Sequence, residues 1–589
     1  MNCWIVCSRY YRKTEDFNWN MWKKYWLAIC ALCCILLQAN AYHRREVNLP
    51  RFITSNTSKI EIKRIVQGME DTQVDVMVYG NPGEAVVISS NTVLKTASQE
   101  LLLQKAEHVS VDGKTEPEQI GDSGSHLMSL FFPPVPQGVH VLDFLEKEEG
   151  WSIWGVQLTR KEPYVYVPSF LQTEPDRREE VLPEPVLRAG KTVINGYVLG
   201  YDEGMEVKAS FRFNDWLGGS LSGEAVKIRQ DGSFHIEADL LLPGGAELNI
   251  NQGKLNLFLV PGKELTVYVH LPRLSMSASR LLKEEFRGVR KAWFDGAASA
   301  INSDLSLGTY PLKMSGWDEV EKAERRMEGD EAVGNACKTY LQANQRLSAW
   351  LAAGADGTEW LPENPLWLRY AQSYMTYLSR MEREQGQAVD CWEDMKVARE
   401  VYRKMQEQHT LGAADRKELG KIANPEIGTY VKNRLQDLQA VAEQAKASET
   451  YVIARLDTLV QGADILPEII SGHKGRAILV DFWATWCGPC RKSMKAIGWL
   501  KKKLAGMDVT YIYLTPPSSP EREWLAAIAE MNGIHYRLTQ RQWEYLCRSY
   551  GITGIPGYLI ISYDGKLQDR YVGFPGVDVL QRDLLRAMD

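Results

Sequence analysis

One stretch, "AILVDFWATWCGPCRKS" from Ala477 to Ser493, restricts the fold more than any other part of the 589-residue chain. From Ala477 to Ala484 it is apolar except for one acid, Asp481, the pattern of a strand buried on both faces. Two cysteines, Cys487 and Cys490, then bracket Gly488 and Pro489 at the point where a helix begins. Pro489 suits a first helical turn, where no N–H bond is required, and Gly488 keeps the turn tight. A thiol at a helix start faces unpaired N–H groups and the positive end of the dipole, which lowers its pKa toward roughly 7. Cys487, the first of the two, is the expected nucleophile at the exposed end. Cys490 lies one turn on, reaches the same sulfur and resolves a mixed disulfide.

A single C-x-x-C is also half of a zinc site, but that needs two more ligands. No second C-x-x-C and no nearby His pair accompany it, so no metal and no cofactor are expected. The remaining cysteines point the same way. Of ten, Cys3, Cys7, Cys30, Cys33 and Cys34 crowd the N-terminus, leaving Cys337, Cys391, Cys487, Cys490 and Cys547. Five over so long a chain is not a disulfide-stapled scaffold, although Cys337 and Cys391 remain a candidate pair. Cys547, in "RQWEYLCRSYG", reads as a semi-buried helix residue rather than a third redox group.

The N-terminus carries an address. Lys23 and Lys24 precede the apolar run Tyr25–Leu37, and Ala39 and Ala41 give a small-x-small cleavage pattern. A run this short fits a secretory signal over residues 1–41 better than a spanning helix, which needs about 20 residues. An uncleaved membrane anchor is the alternative. Ile29 before Cys30 is too bulky for a lipoprotein signal. "MWKKYWLAICALCCILLQANA" is a complete signal by itself, so Met21 is the expected true start. Extracytoplasmic placement, in a periplasm or cell envelope, follows. A net charge of −6 with interspersed signs gives no footprint for nucleic acid.

The organisation expected downstream is multidomain. Residues 47–160 read as an all-β, sandwich-like module, with "KIEIKRI", "TQVDVMVYG" and "EAVVISS" as strands. A proline-rich linker spans 161–191. A second β-sandwich-like module covers 192–275, with a turn at Gln230–Ser233. From 276 to 450 the period becomes helical, through "SRLLKEEFRGVRKAWFDGAASAI", "NPLWLRYAQSYMTYLSRMEREQ" (Asn364 as cap, Pro365 first) and "NPEIGTYVKNRLQDLQAVAEQAKAS". Residues 451–589 alternate strand and helix, as an α/β domain does. In "SPEREWLAAIAEMNG", Ser519 is the expected cap, Pro520 opens the helix and Gly533 ends it. "GYLIISYDGKLQDRYVG" is a hairpin turning at Asp564–Gly565.

Two separated motifs carry a family resemblance. "ILVDFWATWCGPC", with Asp481 and Trp486 flanking the dithiol, resembles the thioredoxin family, and "YGITGIPGYLIISYDGKL" resembles the other half of that site. The resemblance implies a thioredoxin fold over 451–589, a redox-active Cys487–Cys490 disulfide, a cis peptide between Ile555 and Pro556, and a proton relay at Asp481 serving Cys490. The added segment "TPPSSPEREWLAAIAEMNGIHYRLT" is similar to the TlpA/ResA-like extracytoplasmic branch. Two departures stand out. No proline follows Cys490 in "RKSMKAIGW", and Gly557 replaces a common Thr after the cis-proline. The Gly-Pro dipeptide implies a reductase, at potentials near roughly −270 mV. An oxidising compartment then requires a membrane electron donor besides a disulfide-bearing protein substrate, with a membrane tether as an option. The competing readings are an envelope binding protein with a regulatory redox domain, and a thiol peroxidase.

Overall fold

Alternation of buried and exposed side chains organises the first part of the chain. In "IEIKRIVQ" and "TQVDVMVY", Ile60, Ile62, Ile65, Val74 and Val76 turn inward while Lys63 stays out. The computed structural model describes residues 45–588 except 148–149, 160, 173–180, 218–220, 354–364, 386–390, 409–410, 447–450, 455, 458–459, 520 and 530. The segment read as a signal, with Met21, lies outside the described residues, as do Asn364 and Pro520. Among the described residues no helix is long and apolar enough to cross a membrane.

The backbone clusters into two units, 1–163 with 279–282, and 164–278 with 283–589. The first holds two five-stranded sheets. One runs in spatial order Arg45–Asn48, Ile60–Gln67, Thr72–Tyr79, Ser125–Phe132, Lys105–Glu107, and all its pairs are antiparallel. The other runs Thr54–Ser55, Ser152–Gln157, Val141–Glu146, Thr92–Lys95, Glu100–Leu102. Residues of both sheets share one apolar cluster that includes Ile65, Leu94, Leu130, Phe132 and Phe144.

The second unit contains a further pair of four-stranded sheets. One is ordered Ser233–Leu240, Gly190–Leu199, Glu264–His270, Ala292–Gly296. The other is Leu221–Val226, Ala209–Asn214, Gly244–Ile250, Gly253–Leu259. Here the sequence-based expectation is corrected. "AWFDG", expected within a helix, is the edge strand Ala292–Gly296, antiparallel to Glu264–His270. Gly288 before it and Gly296 at its last position adopt positive φ, so a continuous helix is interrupted at both ends. The sheet edge supplies the backbone partners instead.

Helices follow at Asn335–Ala352, Tyr374–Gln385, Trp392–Gln408 and Pro425–Lys446. "NPLWLRYAQSYM" is not one helix: Pro365–Tyr370 is a 3-10 turn and the α-helix starts only at Tyr374. Asn424 caps the last helix, its Oδ1 accepting from the N–H of Glu426 at 3.0 Å and of Ile427 at 3.3 Å. The helices do not stand apart from the β layer. Trp216, Leu241 and Leu242 share a cluster with Trp350, Tyr374, Trp392 and Tyr430. At its edge Arg434 meets Asp215 at 3.1 Å with both side chains buried, and the Tyr430 hydroxyl donates to Asp215 at 3.2 Å.

Residues 451–588 form a six-stranded sheet ordered Tyr451–Ala454, Gly533–Arg537, Val509–Thr515, Ala477–Phe482, Gly557–Ile561, Leu567–Val572. The first four strands are parallel and the last two antiparallel. Every residue of Ala477–Phe482 is buried. Leu479, Leu500, Leu580 and Leu584 pack one face under the helices Gly488–Lys503 and Val577–Ala587. Ile478, Val480 and Leu546 pack the other face. The hairpin turns at Gly565, φ 82°.

Replacing Arg434 with Leu strands the Asp215 carboxylate without its counter-ion. Loss of one partner of a buried pair costs about 3–5 kcal/mol, so the denaturation midpoint of the unit is expected to fall. An Asp215→Leu, Arg434→Leu double variant is expected to recover part of the loss.

Candidate functional site: a dithiol at a helix start

Cys487 is the cap of the helix Gly488–Lys503, with extended backbone (φ −83°, ψ 99°) and Pro489 in the first turn. Its Sγ accepts the Cys490 N–H at 3.1 Å. A sulfur there receives the orphan donors of the first turn, which favour a thiolate. The two cysteines are joined as a disulfide, Cα to Cα 5.3 Å. Contrary to the expectation of an exposed Cys487, this residue is only 4% exposed, and Cys490 is fully buried. The exposed tip is made by Trp486, 61% exposed, with Gly488 and Pro489.

Three segments distant in sequence hold this turn. The Ile555–Pro556 bond is cis, and Ile555 packs against the apolar cluster containing Cys487, Cys490, Trp483 and Trp524. The Pro556 carbonyl accepts from the Gly573 N–H at 2.8 Å. Gly557 is buried, and a Cβ there would fall 2.6 Å from Ile552 Cγ2, so a Thr at this position has no room. The third segment is the loop before Glu521–Ile528. Ser519, expected to cap that helix, instead accepts the Thr485 N–H at 3.0 Å. The Trp486 indole N–H donates to Ser518 Oγ at 3.3 Å. Arg537 fixes the same loop by donating to the carbonyls of Pro517 and Ser519, 3.1 Å each. Gly533, expected to end the helix, begins the strand Gly533–Arg537, because the helix stops at Ile528.

Asp481 lies in the central strand, 1% exposed, and neither carboxylate oxygen has a hydrogen-bond partner among the described residues. Burial pushes its pKa up to about 8, and Lys501 opposes the shift. Tyr513 and Tyr558 sit opposite Asp481 in the two neighbouring strands. The Tyr558 hydroxyl donates to Ser493 Oγ at 2.7 Å, and Ser493 donates to the Cys490 carbonyl at 2.9 Å. Sequence reasoning misses Lys501, Ser493, Tyr513, Tyr558, Ser518, Ser519 and Arg537 as parts of the site. Lys501 carries a signal all the same: eleven residues after Cys490 is three helical turns, which returns it to the buried side.

The helix Gly488–Lys503 runs uninterrupted for 16 residues without the family's proline. Cys547 lies on Gln540–Ser549, where burial pushes its thiol up to about 11, so it is protonated at neutral pH. Cys337 packs in one apolar cluster and Cys391 against another. Among the described residues no group of three or more His, Cys, Asp or Glu side chains is placed to hold a metal.

A C-x-x-C at the start of a helix, with a cis-proline loop beside it on a mixed sheet, defines a thiol–disulfide exchange site. A family model described as Redoxin matches residues 469–584. Thioredoxin-like protein YneN of Bacillus subtilis is 30% identical over 121 residues, 19% of this chain and 70% of YneN. Thiol-disulfide oxidoreductase ResA of Bacillus anthracis is 25% identical over 100 residues, 17% of this chain and 57% of ResA. Among solved structures, a thiol:disulfide interchange protein of the thioredoxin family from Chlorobium tepidum aligns at 22% identity. It covers 20% of this chain and 85% of its own, with a TM-score of 0.18. The chain belongs to the thioredoxin superfamily, and the domain that carries the dithiol is a ResA-like thiol–disulfide oxidoreductase domain.

Asp481 has a stability consequence. Its pKa is about 8 in the folded protein, against 3.8 for a free side chain. Below pH about 4 it is protonated in both states and costs nothing extra. As pH rises toward 8 the unfolded state ionises freely while the folded state resists, so stability is lost across that window. Asp481→Asn is expected to remove this loss, gaining on the order of 4 kcal/mol at pH 7 and little at pH 4. Urea melts of the oxidised protein over that pH range check it, and equal gains at both ends would contradict it.

Proposed function

We propose that this chain is an exported thiol–disulfide oxidoreductase acting mainly as a reductase of protein disulfides. The observation that carries the reading is the place of the pair: Cys487 caps the helix and its Sγ accepts the Cys490 N–H, while Cys490 lies inside the first turn. In the reduced state the Cys487 thiolate attacks one sulfur of a substrate disulfide. A mixed disulfide forms and the other substrate sulfur leaves as a thiolate. Cys490 then gives its proton to the Asp481 carboxylate and attacks the Cys487 sulfur. The second substrate sulfur leaves, and the Cys487–Cys490 disulfide remains. Two electrons pass to the substrate, and a membrane electron donor returns them.

The roles of the flanking residues follow from their places. Trp486, Gly488 and Pro489 form the outer rim a partner meets, and Ile555 with cis-Pro556 forms its opposite wall. Export is supported by Lys23, Lys24, the Tyr25–Leu37 run and the Ala39-x-Ala41 step. An exported chain of this kind works in the periplasm or cell envelope. A thiol peroxidase is disfavoured by the second cysteine one turn from the first.

Removing the resolving thiol tests the assignment. With Cys490→Ser, disulfide-bearing proteins are expected to accumulate on Cys487 as reducible covalent adducts, visible on non-reducing gels, and Cys487→Ser is expected to give none. Adducts that persist in Cys487→Ser, or none in either form, would overturn the assignment.

A further inference from the structure

The second unit holds a cavity of about 260 Å³ beside the edge strand Gly253–Leu259. That strand pairs on one side only, with Gly244–Ile250. Lys254, Leu255 and Asn256 all line the cavity. Side chains alternate along a strand, and Leu255 is buried while Lys254 is exposed. Three consecutive residues therefore meet one space through the backbone edge as well as through side chains. On this edge the Asn302 amide clasps Phe258. Its Oδ1 accepts the Phe258 N–H at 2.7 Å and its Nδ2 donates to the Phe258 carbonyl at 2.8 Å. Main-chain groups of an antiparallel strand face alternate sides residue by residue, so those of Asn256 and Lys254 point the same way as those of Phe258. Among the described residues no other segment satisfies them. An open edge of this kind is a template for another chain.

The rest of the lining is rich in cations. Lys283 and Arg287 stand exposed at the rim. Arg287 holds Glu284 at 2.9 Å, and Lys254 holds Glu247 at 2.5 Å. Lys291 is 6% exposed, and its ammonium donates to the carbonyls of Val289, Ser306 and Leu307 at 3.1, 3.1 and 2.7 Å. It thereby closes the end of the helix Ser299–Leu307. Its three N–H groups are used, but its charge is answered by carbonyl dipoles alone, and burial lowers its pKa to about 8. Among the described residues, two of the four cations, Lys283 and Lys291, thus face the cavity without a carboxylate partner. An anionic group placed there answers both. Ser277 already donates to the Leu274 carbonyl at 2.7 Å, so its oxygen is left to accept. Phe286 and Leu305 supply apolar wall. The lining therefore suits a small anion that also carries hydrogen-bond donors and some hydrocarbon.

We propose that this cavity binds the carboxyl terminus of an extended peptide, its carboxylate among Lys283, Arg287 and Lys291 and its last peptide unit paired with the open main chain of Asn256. The mode is strand addition shortened to a single step. Asn302 fills the edge at Phe258, so a strand added at Asn256 cannot run on past it, and a chain that ends there fits. The volume lies just under the roughly 300 Å³ at which ligand pockets begin, room for one or two residues. A free amino acid shares the carboxylate and the N–H donors; a peptide adds a main chain that continues along Lys254. No lining residue belongs to the domain that carries the dithiol, and the proposal does not rest on the reading of that site.

Isothermal titration calorimetry of the full chain tests it with four probes: N-acetyl-Ala-Ala, the same dipeptide as its C-terminal amide, N-acetyl-Ala-(N-methyl)Ala, and free alanine. N-acetyl-Ala-Ala is expected to bind. The amide is expected to bind about tenfold more weakly or worse, the low end for losing a hydrogen bond to a charged group. N-methylation removes one main-chain donor and is expected to weaken binding severalfold. Lys283→Met and Arg287→Met, both at exposed positions, are each expected to weaken the carboxylate probe and to leave the amide unchanged, while Lys283→Arg retains binding. Absence of binding, equal binding of dipeptide and amide, or undiminished binding in both Met variants overturns the proposal. Free alanine binding as tightly as the dipeptide would make the ligand a free amino acid and overturn the peptide terminus. Cys487→Ser is expected to bind like the unmodified chain; binding lost there would place the peptide at the dithiol and overturn the site.

Discussion

An ionisable carboxyl group in the middle of a fully buried strand is the constraint around which the C-terminal domain is arranged. Asp481 has no hydrogen-bond donor among the described side chains, and an unpaired charge in such a place is unstable unless something answers it. The answers come from separate elements. Lys501 supplies charge from the dithiol helix, while Tyr513 and Tyr558 supply polarisable neighbours from adjacent strands. The helix that carries the lysine is the one whose first turn holds the cysteines, and it directly follows the strand that carries the acid.

The support itself is assembled from far apart. Thr485 and Trp486 lean on Ser519 and Ser518, those serines' loop is fixed by Arg537, and Ile555 closes the other side. The chain before residue 451 is built on different terms. Two sheet pairs are held by interleaved aliphatic and aromatic side chains, and a helical layer is joined to the second pair through Trp216, Tyr430 and the Asp215–Arg434 ion pair.

How much is legible depends on whether a feature is local in sequence. The strand–Cys-Gly-Pro-Cys–helix junction and the hairpin at Gly565 are local, and both can be read directly. The cis bond at Pro556 is available only through family resemblance. "AWFDG" misleads because its apolar spacing also fits a helix and its partner strand, Glu264–His270, lies some twenty residues away. Ser519 looks like a cap because a serine before a proline usually is one, yet its hydroxyl is engaged by Thr485 across 34 positions. Lys501 looks like one of several surface lysines in "WLKKK", and only the register of the helix against Tyr511 and Tyr513 separates it from Lys502 and Lys503.

The bonds from Ser518 and Ser519 to the tryptophan turn also bear on how such a domain can be shortened or recombined. A thioredoxin pared to its minimum would omit the stretch from Thr515 to Arg537, and with it the hydroxyls on which Thr485 and Trp486 rest. In this chain the extra helix and strand are therefore not a removable ornament. They form part of the mould in which the redox turn is cast, and a graft of the Cys-Gly-Pro-Cys loop alone onto another scaffold would leave that mould behind.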